Sequence, residues 1–324
     1  MLPPLAFTLL RRLADGELHS GETLAATIGM TRSRVSQLLM QAETAGLALE
    51  RVRGRGYRLL DATPFLDCAA IVRELGARGP KLIVEVADSI DSTNSELLRR
   101  APRLHRHLLA AELQTAGRGR RGRAWTAVVG GSLTFSLGWR FEQGAGYLSG
   151  LSLAAGVAIV RALEACGCTG VQLKWPNDLV HAGRKLGGIL IELSGDALGP
   201  SLVVIGVGIN VRLPDAARRD IAQPVTDCAT IGGAIDRNRL LAHVAAELAL
   251  MLERDEREGF AAFRAEWQRR HALQRLPVDV SLPDGSVVHG KVVGVDADGA
   301  LVLDRDGRRL RFVTGEVSLR RAKR

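Results

Sequence analysis

The chain has 324 residues, 46% hydrophobic and 24% charged, and this length favours two or three domains of an ordinary globular protein. The longest apolar runs, such as Leu202–Val207, fall well short of the ~20 residues that a membrane span needs, and the N-terminal stretch lacks a secretory cleavage pattern. We therefore expect a cytoplasmic protein with no membrane partner, and the formal charge of +9 favours an anionic partner. The four cysteines and seven histidines show no disulfide or metal-ligand spacing, so we predict reduced thiols and no fixed metal site.

The first 60 residues predict three short helices. Apolar residues recur at helical spacing in three stretches, which end at Gly16, Gly29 and Gly46. Ser20 and Thr31 stand where the N-caps of the second and third helices are expected. Gly29 can adopt the left-handed conformation that a tight turn between two helices requires. This spacing is typical of a helix-turn-helix.

A basic hairpin is predicted after the three helices. Residues 48–52 and 56–60 have the pattern of two short strands, and Arg53-Gly54-Arg55-Gly56 joins them as a wing suited to contact a phosphate backbone. The first turns of the third helix carry polar residues where recognition helices contact base edges. The sequence therefore predicts a winged helix-turn-helix DNA-binding domain over residues 1–63, although such folds also serve as protein-interaction modules. The predicted DNA contacts are Arg32, Ser33, Arg34, Gln37, Arg53 and Arg55.

Strands and helices mix from a linker at Thr63-Pro64 to about residue 272. Thr93-Asn94-Ser95-Glu96 has the pattern of a capping box that opens a short helix. Apolar periodicity predicts a long buried helix over residues 148–166 and two further helices over 239–258 and 261–271. Strands are predicted over residues 82–86, 108–113, 133–139, 171–175, 186–193 and 202–209.

The pattern of apolar and turn-forming residues changes again from residue 277. Asp-Gly dipeptides at positions 284, 298 and 306 separate alternating apolar runs, which is the strongest short hairpin signal. Together these patterns predict an α+β protein. Its central mixed α/β domain is expected over residues 64–272 and a small C-terminal β-barrel over residues 273–324.

The most unusual segment is Gly117-Arg118-Gly119-Arg120-Arg121-Gly122-Arg123. Its spacing satisfies G-x-G-x-x-G, but that dinucleotide fingerprint must open a helix, and residues 124–131 have no helical periodicity. Four arginines in seven residues would repel one another without a bound anion. We therefore reject a Rossmann fold and predict a cationic loop that orders when a phosphate or carboxylate binds.

Two further motifs place polar groups at the ends of strands. Lys174-Trp175-Pro176-Asn177-Asp178-Leu179 sets a cation, an amide and a carboxylate on a stiffened strand exit, as a preorganised polar site requires. Lys185 then begins a strand whose paired glycines permit close backbone approach. Asp91-Ser92-Thr93-Asn94 offers hydroxyl and amide groups for a neutral polar ligand such as a urea.

These stretches together resemble the biotin–protein ligases. The family pattern is matched in order by residues 91–94, by Gln114 with residues 117–123, by residues 174–179, by Lys185 with its Gly-Ile-Leu, and by Gly208-Ile209-Asn210. The winged N-terminal part and the terminal Gly315–Arg320 resemble the bifunctional bacterial members, the biotin operon repressors. The resemblance covers essentially the whole chain, and residues 212–228 match no pattern.

The resemblance implies a class II synthetase-like central domain, an SH3-like terminal barrel and a reaction in two steps. Biotin and Mg–ATP would give biotinyl-5′-adenylate and pyrophosphate, after which a lysine of a biotin carboxyl carrier protein takes the biotin and AMP leaves. In the family the adenylate is also the co-repressor, and we adopt the hypothesis that it promotes a homodimer on the operator DNA.

The resemblance also implies roles for individual residues. The expected catalytic cations are Lys185, Arg118, Arg120 and Arg121, because both reactants of the first step are anions. The expected biotin contacts are Ser92, Thr93, Asn94, Gln114, Arg118, Gly119, Arg120 and Lys185. The expected adenylate contacts are Trp125, Lys174, Asn177, Asp178 and Asn210, and Mg²⁺ is expected to arrive with ATP.

Three other interpretations stay open. A lipoate–protein ligase could use the same catalytic fold, although the complete arginine–glycine loop and the Lys-Trp-Pro-Asn-Asp motif argue against it. The chain could be a regulator that senses biotin without catalysis, or a ligase whose N-terminal domain does not bind DNA. Labelling of a carrier domain tests the first two, and biotin-dependent DNA binding tests the third.

Overall fold

The computed structural model describes residues 2–60, 64–77, 79–101, 104–142, 144, 148–195, 199–282, 284–313 and 318–321. The predicted linker position Thr63 and positions 315–317 of the terminal motif lie outside the described residues. Among the described helices, none is long and apolar enough to cross a membrane.

Three helices and a two-stranded antiparallel hairpin form the N-terminal part of the chain. Ser20 and Thr31 cap the second and third helices by accepting hydrogen bonds from the Thr23 and Arg34 amides, which confirms the predicted helix starts. Gly29 ends the second helix in the left-handed conformation, with φ of 63°. The elements are α1 (Pro4–Leu13), α2 (Gly21–Ile28), α3 (Arg32–Thr44), β1 (Leu49–Val52) and β2 (Gly56–Leu59).

A seven-stranded mixed sheet forms the centre of the molecule. Its strands are β3 (Ile83–Ile90), β4 (His107–Gln114), β5 (Ser132–Phe141), β6 (Gln172–Lys174), β7 (Asp178–His181), β8 (Arg184–Gly195) and β9 (Ser201–Asn210). They lie in the order β3-β4-β5-β9-β8-β7-β6. The β3–β4 pair is parallel and the other neighbours are antiparallel.

Helices cover this sheet and bury its apolar face. The helices described in this central part are α4 (Cys68–Leu75), α5 (Thr93–Arg100), α6 (Leu151–Ala165), α7 (Asp215–Asp220), α8 (Cys228–Gly232), α9 (Arg237–Glu258) and α10 (Ala261–Arg270). The predicted long buried helix corresponds to α6, which packs against α9, α10 and β8. Trp139, Trp175 and Trp267 are almost fully buried in the resulting core. Burial on this scale stabilises the fold mainly through the hydrophobic effect.

Five antiparallel strands form the C-terminal sheet. They are β10 (Pro277–Ser281), β11 (Val287–Val295), β12 (Leu301–Arg305), β13 (Arg308–Phe312) and β14 (Ser318–Arg321), in the order β13-β12-β11-β10-β14. Each of the three Asp-Gly dipeptides lies between two paired strands, which confirms the predicted hairpins. Gly285, Gly299 and Gly307 have φ of 83°, 82° and 79°, in the left-handed region that glycine accepts most readily.

A buried ion pair holds the start of the central part in place. Arg237 on α9 and Glu112 on β4 are paired at 2.8 Å, and both side chains are inaccessible to solvent. Arg237 also donates to the Pro64 carbonyl, and Glu112 accepts from the Leu66 amide. Asn238 donates to the Phe65 carbonyl. The segment that follows the N-terminal part is therefore fixed against the central sheet.

Some local predictions are wrong or incomplete. Ser92, not Thr93, caps α5 by accepting from the Ser95 amide, and Glu96 pairs with Arg99 instead of closing a capping box. Four elements had no sequence prediction: α4, β7, α7 and α8.

Candidate functional site

A cavity of about 230 Å³ opens between β4, β8 and β9, the segment 117–125 and the end of the C-terminal sheet. Of the residues predicted to contact biotin or the adenylate, Asn210 is the one that the structure does not place in the cavity lining. The others lie far apart in sequence and converge on this one space. They are Ser92, Thr93, Asn94, Gln114, Arg118, Gly119, Arg120, Trp125, Lys174, Asn177, Asp178 and Lys185, and Arg121, which was predicted as a catalytic cation, lines the same cavity.

Hydroxyl and amide groups form a connected network at one end of the cavity. The Thr93 amide and hydroxyl both donate to Gln114 Oε1, at 2.8 and 3.1 Å. Ser136 Oγ lies 2.6 Å from Thr93 Oγ1 and 2.5 Å from Asn94 Oδ1. Ser92, Thr93 and Asn94 are all nearly buried. Such a network holds its donors and acceptors in fixed directions, as recognition of a neutral polar group requires.

Two glycines on β9 make room for side chains that line the cavity. A Cβ atom on Gly206 would lie 2.2 Å from Asn94 Oδ1. A Cβ atom on Gly208 would lie 2.3 Å from Trp125 Cε2. Both distances are impossible for a real Cβ, so the Asn94 amide and the Trp125 ring require glycine at these positions. The Trp125 Nε1–H is buried and lacks a hydrogen-bond partner within the described structure.

The arginine–glycine segment is folded as a short hairpin beside the cavity. The Trp125 amide donates to the Gly117 carbonyl at 2.9 Å, and the Gly119 amide donates to the Arg123 carbonyl at 2.7 Å. A single 3₁₀ turn over Arg120–Gly122 forms the tip. Arg118 Nη2 donates to Glu192 Oε2 on β8 at 2.8 Å, and Arg120 Nη1 donates to Asn177 Oδ1 at 3.4 Å.

Lys185 and Asp178 form an ion pair on adjacent strands. Lys185 Nζ lies 2.7 Å from Asp178 Oδ1, and the side chains are 20% and 23% exposed. The Lys185 backbone pairs with Val225 in a parallel bridge. Asn210 Nδ2 donates to the carbonyl of Thr226 at 3.1 Å and lies 3.5 Å from that of Lys185. Asn210 is thus buried behind the site, where it holds the backbone that carries Lys185.

The strand exit at residues 174–177 is fixed from three sides. Trp175 Nε1 donates to the Gly299 carbonyl of the C-terminal sheet at 3.1 Å. The Trp175 amide faces His271 Nε2 at 3.5 Å, and burial lowers the pKa of His271 to about 4, so this ring is neutral near pH 7. Asn177 Nδ2 donates to the Ile189 carbonyl at 2.6 Å. These contacts hold in place the strand exit that carries Lys174 and Asn177.

The electrostatic character of the cavity is strongly positive. Burial lowers the pKa of Lys174, and the nearby charges of Lys185 and Arg320 lower it further, whereas Asp178 opposes them. Burial likewise lowers the pKa of Arg120. Basic side chains that outnumber the carboxylates in a half-buried space favour the entry of anions. Among the described lining residues there is one carboxylate, Asp178, and seven basic side chains: Arg118, Arg120, Arg121, Arg123, Lys174, Lys185 and Arg320.

Sequence reasoning missed several residues at the site. Arg320, on β14, lines the cavity although it lies 135 residues from Lys185 (320 − 185), and its position in a family motif was the available signal. Glu192 contacts both Asn94 and Arg118, and its signal was a charged residue in an apolar strand. Gln223 lies in the segment that matched no pattern.

The predicted DNA contacts lie on the N-terminal part, at its surface. The Arg32 side chain is 67% exposed and pairs with Glu22 at 3.1 Å, and Arg34 donates to Gln37 at 3.3 Å. Arg51 and Arg58, on the strands of the hairpin, pair with glutamates. The exposed members of the predicted set are Arg32, Ser33, Gln37, Arg53 and Arg55, and Arg34 is half-buried.

Comparison with known proteins gives consistent matches. The model of the biotin/lipoate A/B protein ligase family matches residues 86–210, and that of the biotin protein ligase C-terminal domain matches residues 277–320. The bifunctional ligase/repressor BirA of Escherichia coli is 37% identical over 317 residues, which are 98% of this chain and 97% of that protein. Its namesake in Bacillus subtilis is 30% identical over 319 residues, 94% and 95% of the two chains. The solved biotin protein ligase from Aquifex aeolicus in complex with biotin and ATP aligns with a TM-score of 0.63 at 28% identity, covering 74% of this chain and 99% of that one.

Proposed function

Because the chain belongs to the bifunctional biotin protein ligase/repressor family, we propose that it joins biotin to a carrier-protein lysine through biotinyl-5′-adenylate and represses transcription when loaded. One observation carries the ligase proposal. Among the residues that the structure describes, a hydrogen-bonded hydroxyl–amide network and seven basic side chains with one carboxylate face a single cavity. This arrangement suits a substrate with a neutral polar ring at one end and reacting anions at the other.

In the first step, a biotin carboxylate oxygen attacks the α-phosphorus of ATP, and the bond from this phosphorus to the departing pyrophosphate breaks. Both reactants are anions, so cations must offset their repulsion and align them. Lys185 is the best placed, since its partner Asp178 holds the ammonium in the cavity at 2.7 Å. Arg118, Arg120 and Arg121 add positive charge from the hairpin.

In the second step, the amine of a carrier lysine attacks the acyl carbon of the mixed anhydride. The acyl–phosphate bond breaks, AMP leaves, and the amine releases one proton to solvent as the amide forms. We propose that the biotin ring stays in the network formed by Ser92, Thr93, Asn94 and Gln114 throughout. The site then acts on the second step mainly by holding the acyl carbon in one place.

We propose adenylate contacts from Trp125, Lys174, Asn177 and Asp178. The unpaired Trp125 Nε1–H supports this proposal, because a buried donor without a partner is costly until a ligand accepts from it. Mg²⁺ would enter the site as part of the ATP substrate. Within the described residues no three His, Cys, Asp or Glu side chains are grouped to hold a metal, and Asp178 is the one carboxylate among the described cavity-lining residues. Asn210 would act indirectly, by positioning the backbone of Lys185.

For the repressor activity, we propose that residues 1–63 are a winged helix-turn-helix domain. The caps of α2 and α3, the left-handed Gly29 and the exposed Arg53 and Arg55 support it. We further propose a class II synthetase-like domain over residues 64–272, an SH3-like barrel over residues 273–324, and a homodimer that forms when the adenylate is bound. The operator would be contacted by α3 and the β1–β2 hairpin.

The test uses purified full-length protein, ATP, Mg²⁺, radiolabelled biotin and a biotin carboxyl carrier domain. We expect protein-bound label on the carrier only when ATP is present, and biotin-dependent retardation of DNA from the region upstream of the chain's own gene. Label on the carrier without DNA binding would contradict the repressor proposal and leave the ligase proposal standing.

A further inference from the structure

Glu192 connects two parts of the site that are far apart in sequence. Its Oε2 atom accepts a hydrogen bond from Asn94 Nδ2 at 2.8 Å and another from Arg118 Nη2 at 2.8 Å. Glu192 lies on β8, pairs with Val204 on β9, and has 24% of its side chain exposed. It does not line the cavity, so any effect on the substrate must pass through Asn94 and Arg118.

The Asn94 amide is held in one orientation, and Glu192 and the Leu190 carbonyl together determine which one. Its Nδ2 donates to the Leu190 carbonyl and to Glu192, and its Oδ1 faces Ser136 Oγ. A carboxylate only accepts hydrogen bonds, so it requires the NH₂ side of the amide to face β8. The close approach to Gly206 then fixes the Oδ1 side against β9. A glutamine at position 192 could donate as well as accept, so Glu192→Gln leaves the Leu190 carbonyl as the one described acceptor on β8 that still requires this orientation.

The contact between Glu192 and Arg118 holds the arginine–glycine hairpin that lines the cavity. Arg118 lies at the base of the arginine–glycine hairpin, where it bridges to Ala124. The Arg118 side chain is 44% exposed, so the ion pair adds little to global stability. Its effect is local: it ties the hairpin to the same oxygen that orients Asn94.

We propose that Glu192 is a positioning residue for biotin recognition, which sets the orientation of the Asn94 amide and anchors the hairpin through Arg118. This inference rests on the proposed ligase function. It assigns to one carboxylate oxygen the coupling between the ring-binding network and the cationic hairpin. Replacement of Glu192 should therefore affect biotin more than ATP.

The test compares Glu192→Gln with wild type and with a matched control, Glu266→Gln. Glu266 is 18% exposed and also pairs with two arginines, but it lies on α10 and outside the cavity. Biotin affinity is measured by equilibrium titration without ATP, and KM for biotin and for ATP by pyrophosphate release. We expect Glu192→Gln to raise the biotin Kd and KM about tenfold or more, with the ATP KM within about twofold of wild type. Trypsin should also cut the hairpin arginines faster in this variant.

Glu192→Asp keeps the acceptor-only chemistry on a shorter side chain, so it should recover part of the biotin affinity. If Glu192→Gln does not fold, the biotin Kd and KM of Glu192→Asp are compared with those of wild type instead. A biotin Kd in Glu192→Gln equal to that of wild type, or a change matched by Glu266→Gln, would overturn the proposal. Equal rises in KM for biotin and ATP would overturn it as well. Wild-type protein that binds no biotin would instead contradict the proposed function.

Discussion

Replacement of Lys185 by alanine is the sharpest single perturbation of the proposed first step. Lys185 Nζ lies 2.7 Å from Asp178 Oδ1 in a half-buried cavity, so its position is fixed before substrates bind. In the proposed loaded site this point charge would face the biotin carboxylate and the α-phosphate of ATP. Removing one preorganised group aimed at developing charge costs about 2.7–4 kcal/mol in a water-excluded site. This cost corresponds to a loss of about 10²–10³ in rate.

The surroundings set limits on that magnitude. Lys174 and Arg320 remain in Lys185→Ala and continue to attract the phosphates, so the ATP KM should change less than the rate. Lys185→Arg should recover only part of the activity, because the bulkier planar guanidinium cannot take the place of a compact ammonium. Lys81, which is exposed and lies outside the cavity, provides the matched control in Lys81→Ala.

The assay is single-turnover formation of biotinyl-5′-adenylate from labelled biotin and excess ATP, followed by chromatography. Thermal unfolding, measured in parallel, should show all three variants folded. A rate in Lys185→Ala within about threefold of wild type would refute the assignment of this residue to the reaction. An equal loss in Lys81→Ala would refute it too.

Three further predictions test other parts of the molecule. Arg120→Gly removes a contact to Asn177 worth roughly 1.5–3 kcal/mol and loosens the hairpin, so preformed labelled adenylate should dissociate faster and bystander proteins such as albumin should be labelled. An unchanged dissociation rate would show that the hairpin does not retain the adenylate. Arg32→Ala combined with Arg34→Ala should weaken operator binding in a mobility-shift assay while carrier labelling persists, and loss of both activities with intact thermal stability would contradict the modular division. Glu112→Gln leaves the fully buried Arg237 without a charged partner, so the free energy of unfolding measured in urea should fall by about 3–5 kcal/mol. A fall of less than about 1 kcal/mol would contradict the stabilising role of the ion pair.

Local sequence signals predicted local structure well. Ser20 and Thr31 cap their helices because a short hydroxyl side chain can accept from an amide two or three residues later, and this contact does not depend on tertiary structure. The three Asp-Gly turns were equally predictable, because positive φ at glycine is a local requirement. The capping box failed since Ser92 offers the same chemistry one residue earlier and Glu96 has an arginine within reach.

Long-range partners had no such signal. Glu192 and Asn94 are 98 residues apart, and neither local sequence pattern indicates that the two side chains contact each other. Glu112 and Arg237 are 125 residues apart, and their pairing depends on how α9 packs against the central sheet. The four-residue strand β7 follows directly after the Trp-Pro-Asn motif and is too short to show alternation. The motifs singled out in the sequence thus line one cavity, and the fold was needed to show the side chains, such as Glu192, that contact them from outside it.

The measurement that tests the central claim most directly is adenylate formation without any carrier protein. Purified protein is incubated with ATP, Mg²⁺ and either biotin or lipoate at equal concentration, and the acyl-adenylate and pyrophosphate are quantified. We expect stoichiometric biotinyl-5′-adenylate that stays bound to the protein, and no comparable product from lipoate. Absence of the biotinyl adenylate, or a preference for lipoate, would contradict the proposed ligase function.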